Sequence, residues 1–197
     1  MRGLQRTNRG FTLTELMVTL LIFIIFVAMG VPSFMAQRQR AALRGVADQT
    51  LGFWNAARFE AVKRNTLVKV GVVSNSSGFC LGATTDTPTD GVPCDCMSAT
   101  ACNVARFPGN QAEWRGVTLG SGSTLGPSTE IVVALNPRRG ASLTVPADAG
   151  ALRLVGPDGP DAYALNLSVD RFGRGYLCES ASATDKMSDY QNRSCSP

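Results

Sequence analysis

Residues 11–31 read FTLTELMVTLLIFIIFVAMGV, an unbroken apolar run whose one charge is Glu15. At about 1.5 Å per residue, a helix of that length crosses the roughly 30 Å of hydrocarbon in a bilayer. Ahead of the run stand Arg2, Arg6 and Arg9, with no acid among the first ten residues. The positive-inside rule therefore keeps residues 1–10 cytoplasmic and sends the bulk of the chain across. An ordinary signal peptide is the competing reading. The run is too long for one, and no small-x-small cleavage site follows it.

Working outward towards the C-terminus, Pro32 and Ser33 mark a bend and not an exit from helix. Over residues 32–65 the apolar positions Phe34, Met35, Ala42, Leu43, Val46, Leu51, Phe53, Trp54, Ala57, Phe59, Ala61 and Val62 recur at mixed three- and four-residue spacings. Arg38, Arg40, Arg44, Asp48, Arg58, Glu60, Lys63 and Arg64 fill the other faces. That is the pattern of an amphipathic helix with one side packed on a folded domain.

The remainder, residues 66–197, is long enough for a domain with its own core. Across the chain 44% of residues are hydrophobic and 17% charged, too apolar for a disordered protein. Three of the four net positive charges belong to the leader arginines, so the body is nearly neutral and carries no global field for nucleic acid. Histidine is absent, which removes the commonest general base and most zinc chemistry. No nucleophile motif, phosphate-binding loop or cofactor loop appears, so an enzyme is not expected, and neither cofactor nor metal is implied.

Extended runs follow the helix at residues 67–73, 114–119, 130–135, 141–145, 151–155, 162–169 and 174–178. A polar turn at 74–78 and turn signals at 136–140, 156–160 and 170–173 separate them. Successive hairpins after a leading helix give an α+β fold: a long N-terminal helix packed on one antiparallel sheet or on two small sheets.

The junction Arg9-Gly10-Phe11-Thr12-Leu13-Thr14-Glu15 resembles the class III signal of type IV pilins and type II secretion pseudopilins. The resemblance implies that a prepilin peptidase cuts between Gly10 and Phe11 and that Phe11 is then N-methylated. It also implies that Glu15 pairs with the terminal amine of a neighbouring subunit, and that the helix kinks at Pro32. A carboxylate in a membrane helix costs up to about 2.5–3.5 kcal/mol, which is a physical reason for it to seek such a partner. The resemblance places the chain in the inner membrane as a single-pass protein with its domain in the periplasm, and in a pilus or pseudopilus once assembled.

Trp114-Arg115-Gly116-Val117, the Asn136-Pro137 to Gly140 hairpin and a late strand opening at Gly173-Arg174 are similar to the FimT/FimU minor pilins. The pseudopilin called secretion protein H shares that domain. This likeness implies a minor pilin that primes or caps a type IV pilus, with a type II secretion pseudopilin as the alternative. Partners are then other pilins, the prepilin peptidase and the inner membrane. Some FimT proteins bind DNA in natural transformation through Gly-Arg-x-Arg; here the stretch is Gly173-Arg174-Gly175-Tyr176, with the second arginine missing. Arg171, Arg138 and Arg139 are the other cations that would serve such a site.

Six cysteines, none before Cys80, fit disulfides in an oxidising compartment. Cys178 and Cys195 close a loop worth roughly 3 kcal/mol, and a C-terminal disulfide loop recurs in the pilins this chain resembles. Cys80, Cys94, Cys96 and Cys102 remain. A Cys94–Cys96 ring would be strained, so Cys80 pairs with one of those two and Cys102 with the other, in an order the spacing leaves open. A four-cysteine zinc site is the competing reading; a redox Cys-x-x-Cys does not occur.

Overall fold

Helix α1 (Leu13–Arg64) is a single 52-residue element that continues through Pro32. Proline there removes one intrahelical bond, and the helix carries on at both sides. The computed structural model describes residues 10–75, 78–85, 94–98, 102–108, 114, 116–120, 123, 133–136, 138, 140–142, 150–157, 162–170, 172–181, 183–190, 193 and 195. By its internal packing the chain divides into two units, Met1–Arg38 and Gln39–Pro197.

In the first unit the large side chains of α1 are exposed on every face described, from Leu13 at 75% to Met35 at 55%. This stretch supplies a helix long and apolar enough to cross a membrane, with none of its apolar window buried in the chain itself.

In the second unit one stripe of α1 is buried: Leu43, Val46, Ala47, Thr50, Phe53, Trp54, Ala57 and Ala61. The spacing alternates between three and four residues, so the stripe is one helical face. Phe59 and Val62 were expected on that face and lie off it, 66% and 56% exposed. The helix ends where Asn65 turns left-handed (φ 49°). The Thr66 and Asn65 N–H groups donate to the carbonyls of Ala61 and Val62, both at 3.2 Å. This is a Schellman cap, with asparagine at the one position that needs positive φ.

Nine strands follow among the described residues. The first sheet has β1 (Val68–Asn75), β2 (Gly78–Thr84), β3 (Ala105–Phe107), β5 (Val133–Asn136) and β6 (Gly140–Ser142), in the order β3-β2-β1-β5-β6. The second has β4 (Thr118–Leu119), β7 (Gly150–Val155), β8 (Ala164–Val169) and β9 (Gly175–Glu179), in the order β4-β7-β8-β9. All pairings are antiparallel. The architecture is therefore α+β, one long leading helix and two small antiparallel sheets. Val68, Val70 and Leu81 of the first sheet and Leu152, Leu165 and Leu167 of the second share one core with the α1 stripe.

The structure departs from the sequence reading in three places. Strands β2 and β3 lie where no strand was expected. The 74–78 turn is shorter, since Asn75 and Gly78 are already paired. Among the described residues of the run 114–119 only Thr118–Leu119 is strand. The Val117 N–H donates to the Trp114 carbonyl at 2.8 Å, and Gly116 has φ 79° with its α-carbon facing Pro157. A tight turn at that position ends the extended chain.

Both sheets have a covered outer face. On β2, Phe79, Leu81 and Ala83 point to the core, while Cys80, Gly82 and Thr84 alternate to the opposite side and are also buried. Disulfides Cys80–Cys96 and Cys94–Cys102, with Cα separations of 5.8 and 5.3 Å, hold a cysteine turn over that side. Behind β9 a C-terminal strap leaves the sheet and returns through Cys178–Cys195, Cα separation 5.3 Å. The Ser180 and Asp185 N–H groups donate to the Ala164 and Ala162 carbonyls at 3.2 and 2.8 Å. Met187 and Tyr190 enter the main core.

Candidate functional site

The start of α1 is built by Thr12. Its Oγ1 accepts the Glu15 N–H at 3.2 Å and its carbonyl accepts the Leu16 N–H at 3.2 Å. Thr12-x-x-Glu15 thus follows the capping-box pattern, and Glu15 stands in the first turn, where a carboxylate favours the positive end of the helix dipole. Gly10 and Phe11 precede the cap as exposed, non-helical chain. The Gly10–Phe11 peptide is therefore accessible. Among the described residues no cation lies within two turns of Glu15. Pro32 sits inside α1.

The second site suggested by sequence is the β8–β9 turn. Asp170 organises it: one oxygen accepts the Phe172 and Arg174 N–H groups at 2.9 and 2.8 Å, and the other accepts Arg174 Nε at 2.7 Å. Burial works against the charged carboxylate, but the Arg174 amide, the Arg174 side chain and the Phe172 amide together hold its pKa below the ordinary value. Gly173 takes φ 73°, and its carbonyl accepts Trp54 Nε1 at 2.9 Å, which fastens the turn to α1.

This geometry bears on the arginines. Arg174 is exposed, yet its guanidinium is bonded to Asp170, so the charge that a phosphate contact requires is already answered. Tyr176 is half-buried, and its hydroxyl is buried with no hydrogen-bond partner among the described residues. Arg138 is exposed on the β5–β6 hairpin of the other sheet. Arg171 and Arg139 lie outside the described residues.

All six cysteines are in disulfides, so no thiolate is left for a zinc site. The pairing left open by spacing resolves as Cys80 with Cys96 and Cys94 with Cys102. A turn at Asp95, whose Oδ1 accepts the Met97 N–H at 3.0 Å, sets the two neighbouring cysteines to different partners. Sequence reasoning missed Gly82, where an added Cβ would stand 2.6 Å from the sulfurs of both Cys94 and Cys102. It also missed Asp170, whose signal was an acid four residues before the arginine in a turn.

Residues 5–31 match the family model described as the prokaryotic N-terminal methylation motif. No curated protein matches the chain, and no solved structure does. The matched segment spans the Gly10–Phe11 junction, Glu15 and the apolar half of α1, and it supports a type IV pilin-like protein anchored by that helix.

Proposed function

We propose that the chain is a minor pilin: a structural subunit, not an enzyme, that primes or caps a type IV pilus. A prepilin peptidase cuts between Gly10 and Phe11, Phe11 is N-methylated, and the apolar half of α1 holds the subunit in the inner membrane until it is drawn into a filament. The observation that carries the reading is an accessible Gly10–Phe11 junction directly ahead of a capped helix whose described apolar side chains are exposed in its first half. Each subunit must find a partner for them first in lipid and then in other pilin helices, since exposed apolar surface of this extent is not left in water.

In this mechanism Glu15 has two duties. In the single subunit it stabilises the first turn of α1. During assembly it neutralises the terminal amine of a neighbour, which sets axial register. Mass spectrometry of the protein from cells tests the processing: a Phe11 N-terminus with one added methyl group is expected, and an intact Met1 start would defeat the reading. Glu15→Ala tests the assembly: cleavage and membrane retention are expected to persist while incorporation into filaments is lost. On a deletion strain, lost twitching with intact secretion of exoproteins is the expected phenotype; the opposite pattern assigns the chain to a type II secretion pseudopilus.

A further inference from the structure

Strand β9 is the last strand of the second sheet, so its far edge pairs with no other strand of that sheet. The phase of the β8–β9 ladder fixes which groups the edge presents. The Asp170 N–H donates to the Arg174 carbonyl and the Ser180 N–H to the Ala164 carbonyl, at 3.0 and 3.2 Å. Both bonds keep the register that sets Asn166 against Cys178 and Ser168 against Tyr176. Bonded pairs alternate with unbonded ones along an antiparallel ladder, so Tyr176 and Cys178 bond to β8. Gly175, Leu177 and Glu179 therefore turn their N–H and C=O groups outward. The neighbouring ladder agrees. The Gly156 N–H donates to the Tyr163 carbonyl at 2.9 Å, a phase that directs Leu165, Leu167 and Val169 to β7 and not to β9.

Among the described residues no hydrogen bond reaches those three outward N–H groups. Yet the edge is covered: Leu177 is 3% exposed. The C-terminal strap meets β9 on both sides. Tyr190 lies in the core shared with α1, while Cys195 is bonded to Cys178, whose side chain alternates with Leu177 and points to the outer face. At the edge itself Cys195 Sγ stands 3.2 Å from the outward Glu179 carbonyl. A disulfide sulfur has no proton to donate, so it covers that oxygen without bonding it. The N–H groups of Ser180, Asp185 and Met187 go elsewhere, to the Ala164 and Ala162 carbonyls and to Glu179 Oε1. The strap thus shields the edge and leaves its backbone groups unanswered, an unfavourable state for buried N–H and C=O. An edge of this kind, once uncovered, recruits another strand. This one is also self-complementary. Across a twofold axis at Leu177, Gly175 of each copy opposes Glu179 of the other, and every such pair exchanges two hydrogen bonds.

We propose that the outward edge of β9 is a strand-pairing surface whose partner is the same edge of a second copy, and that the strap, fastened by Cys178–Cys195, keeps it closed. The proposal does not depend on the processing or the filament role given above.

Sedimentation of the full chain in detergent micelles compares wild type with Cys178→Ala/Cys195→Ala, which frees the end of the strap. Wild type is expected to be monomeric, and the variant to self-associate as a dimer about ten-fold more tightly than wild type. Adding Glu179→Pro removes an outward N–H and no bond to β8, and is expected to return the variant to monomer. A variant that keeps a cooperative urea transition and stays monomeric overturns the proposal, as does a dimer that survives Glu179→Pro. Wild type that is already dimeric, and dissociates with Glu179→Pro, overturns the role of the strap. If the double variant loses its urea transition, Asp189→Ala, which releases the strap from Arg44 alone, is read in its place with the same outcomes. Exchange of single amides in wild type, followed by NMR, checks the edge without any variant. Slow exchange is expected at Tyr176 and Cys178, and exchange about ten-fold faster at Leu177. Equal protection of all three would mean that the edge is already paired, and overturns the proposal.

Discussion

The two halves of α1 are one helix built on opposite principles. Among the described residues from Leu13 to Met35 the large apolar side chains point to all sides and are exposed. From Leu43 to Ala61 the apolar residues gather into one stripe that is buried to within a few per cent, and charged residues take the rest. Only the second half is stabilised by its own chain. The difference teaches which half answers to which selection: the second to folding, the first to an environment outside the molecule. Burial on one face makes a helix part of a domain, and apolarity all round makes it a membrane or filament element.

The largest expected effect breaks the second half and spares the first. Trp54 is 1% exposed and gives its indole N–H to the Gly173 carbonyl, so it ties α1 to the β8–β9 turn as well as filling the core. Trp54→Ala is expected to cost about 3–5 kcal/mol, read as a fall in the urea midpoint of the globular unit. Membrane retention and cleavage at Gly10 should be unchanged. Leu20→Ala, at a position 52% exposed, is expected to leave the same midpoint within experimental error. A comparable loss from both substitutions would erase the distinction between the halves.

A middle-sized effect concerns the outer face of β2. Gly82 lies beneath the crossing of Cys94–Cys102 and Cys80–Cys96, with sulfur where a side chain would begin. Disulfide sulfurs tied at both ends cannot swing aside as the end of a flexible side chain does. Gly82→Ala is expected to cost about 1–3 kcal/mol through overpacking. It should also yield a measurable fraction of protein with free thiols by alkylation. Gly52→Ala, on the open face of α1 where nothing meets an added Cβ, should be neutral or slightly stabilising.

That strand also shows where sequence reasoning reaches its limit. The helix was legible because its hydrophobic period is plain, and the hairpins around β7, β8 and β9 were legible from turn residues at their ends. Strand β2, GFCLGAT, was not, because burial on both faces removes the polar alternation that marks a strand. The extended reading of 114–119 failed because Gly116 adopts a positive φ against Pro157, a tertiary demand that no local pattern announces. The cysteine spacing allowed two pairings, and the turn at Asp95 decided between them. At the candidate site the junction before Phe11 was legible whole. The capture of Arg174 by Asp170 and the seating of Arg40 on Tyr163 were not. The first is a local contact in a turn whose geometry needed coordinates, and the second joins residues 123 apart in sequence.

The smallest expected effect sharpens the comparison at the point where the strap meets the second half of α1. Burial, and next the charge of Asp48, raise the Tyr190 phenol above the ordinary tyrosine value, with Arg44 and Arg193 opposing. The unfolded phenol therefore loses its proton first. Its contribution to stability is complete below about pH 10 and declines as the pH rises from there through the raised folded pKa. For one proton the slope cannot exceed about 1.4 kcal/mol per pH unit. Urea midpoints of wild type and Tyr190→Phe measured from pH 9 upward should converge over that window, since the variant has no phenol to ionise. Parallel curves would mean that Tyr190 docks the strap by its ring alone, and that its hydroxyl adds nothing to the hold of the strap on α1.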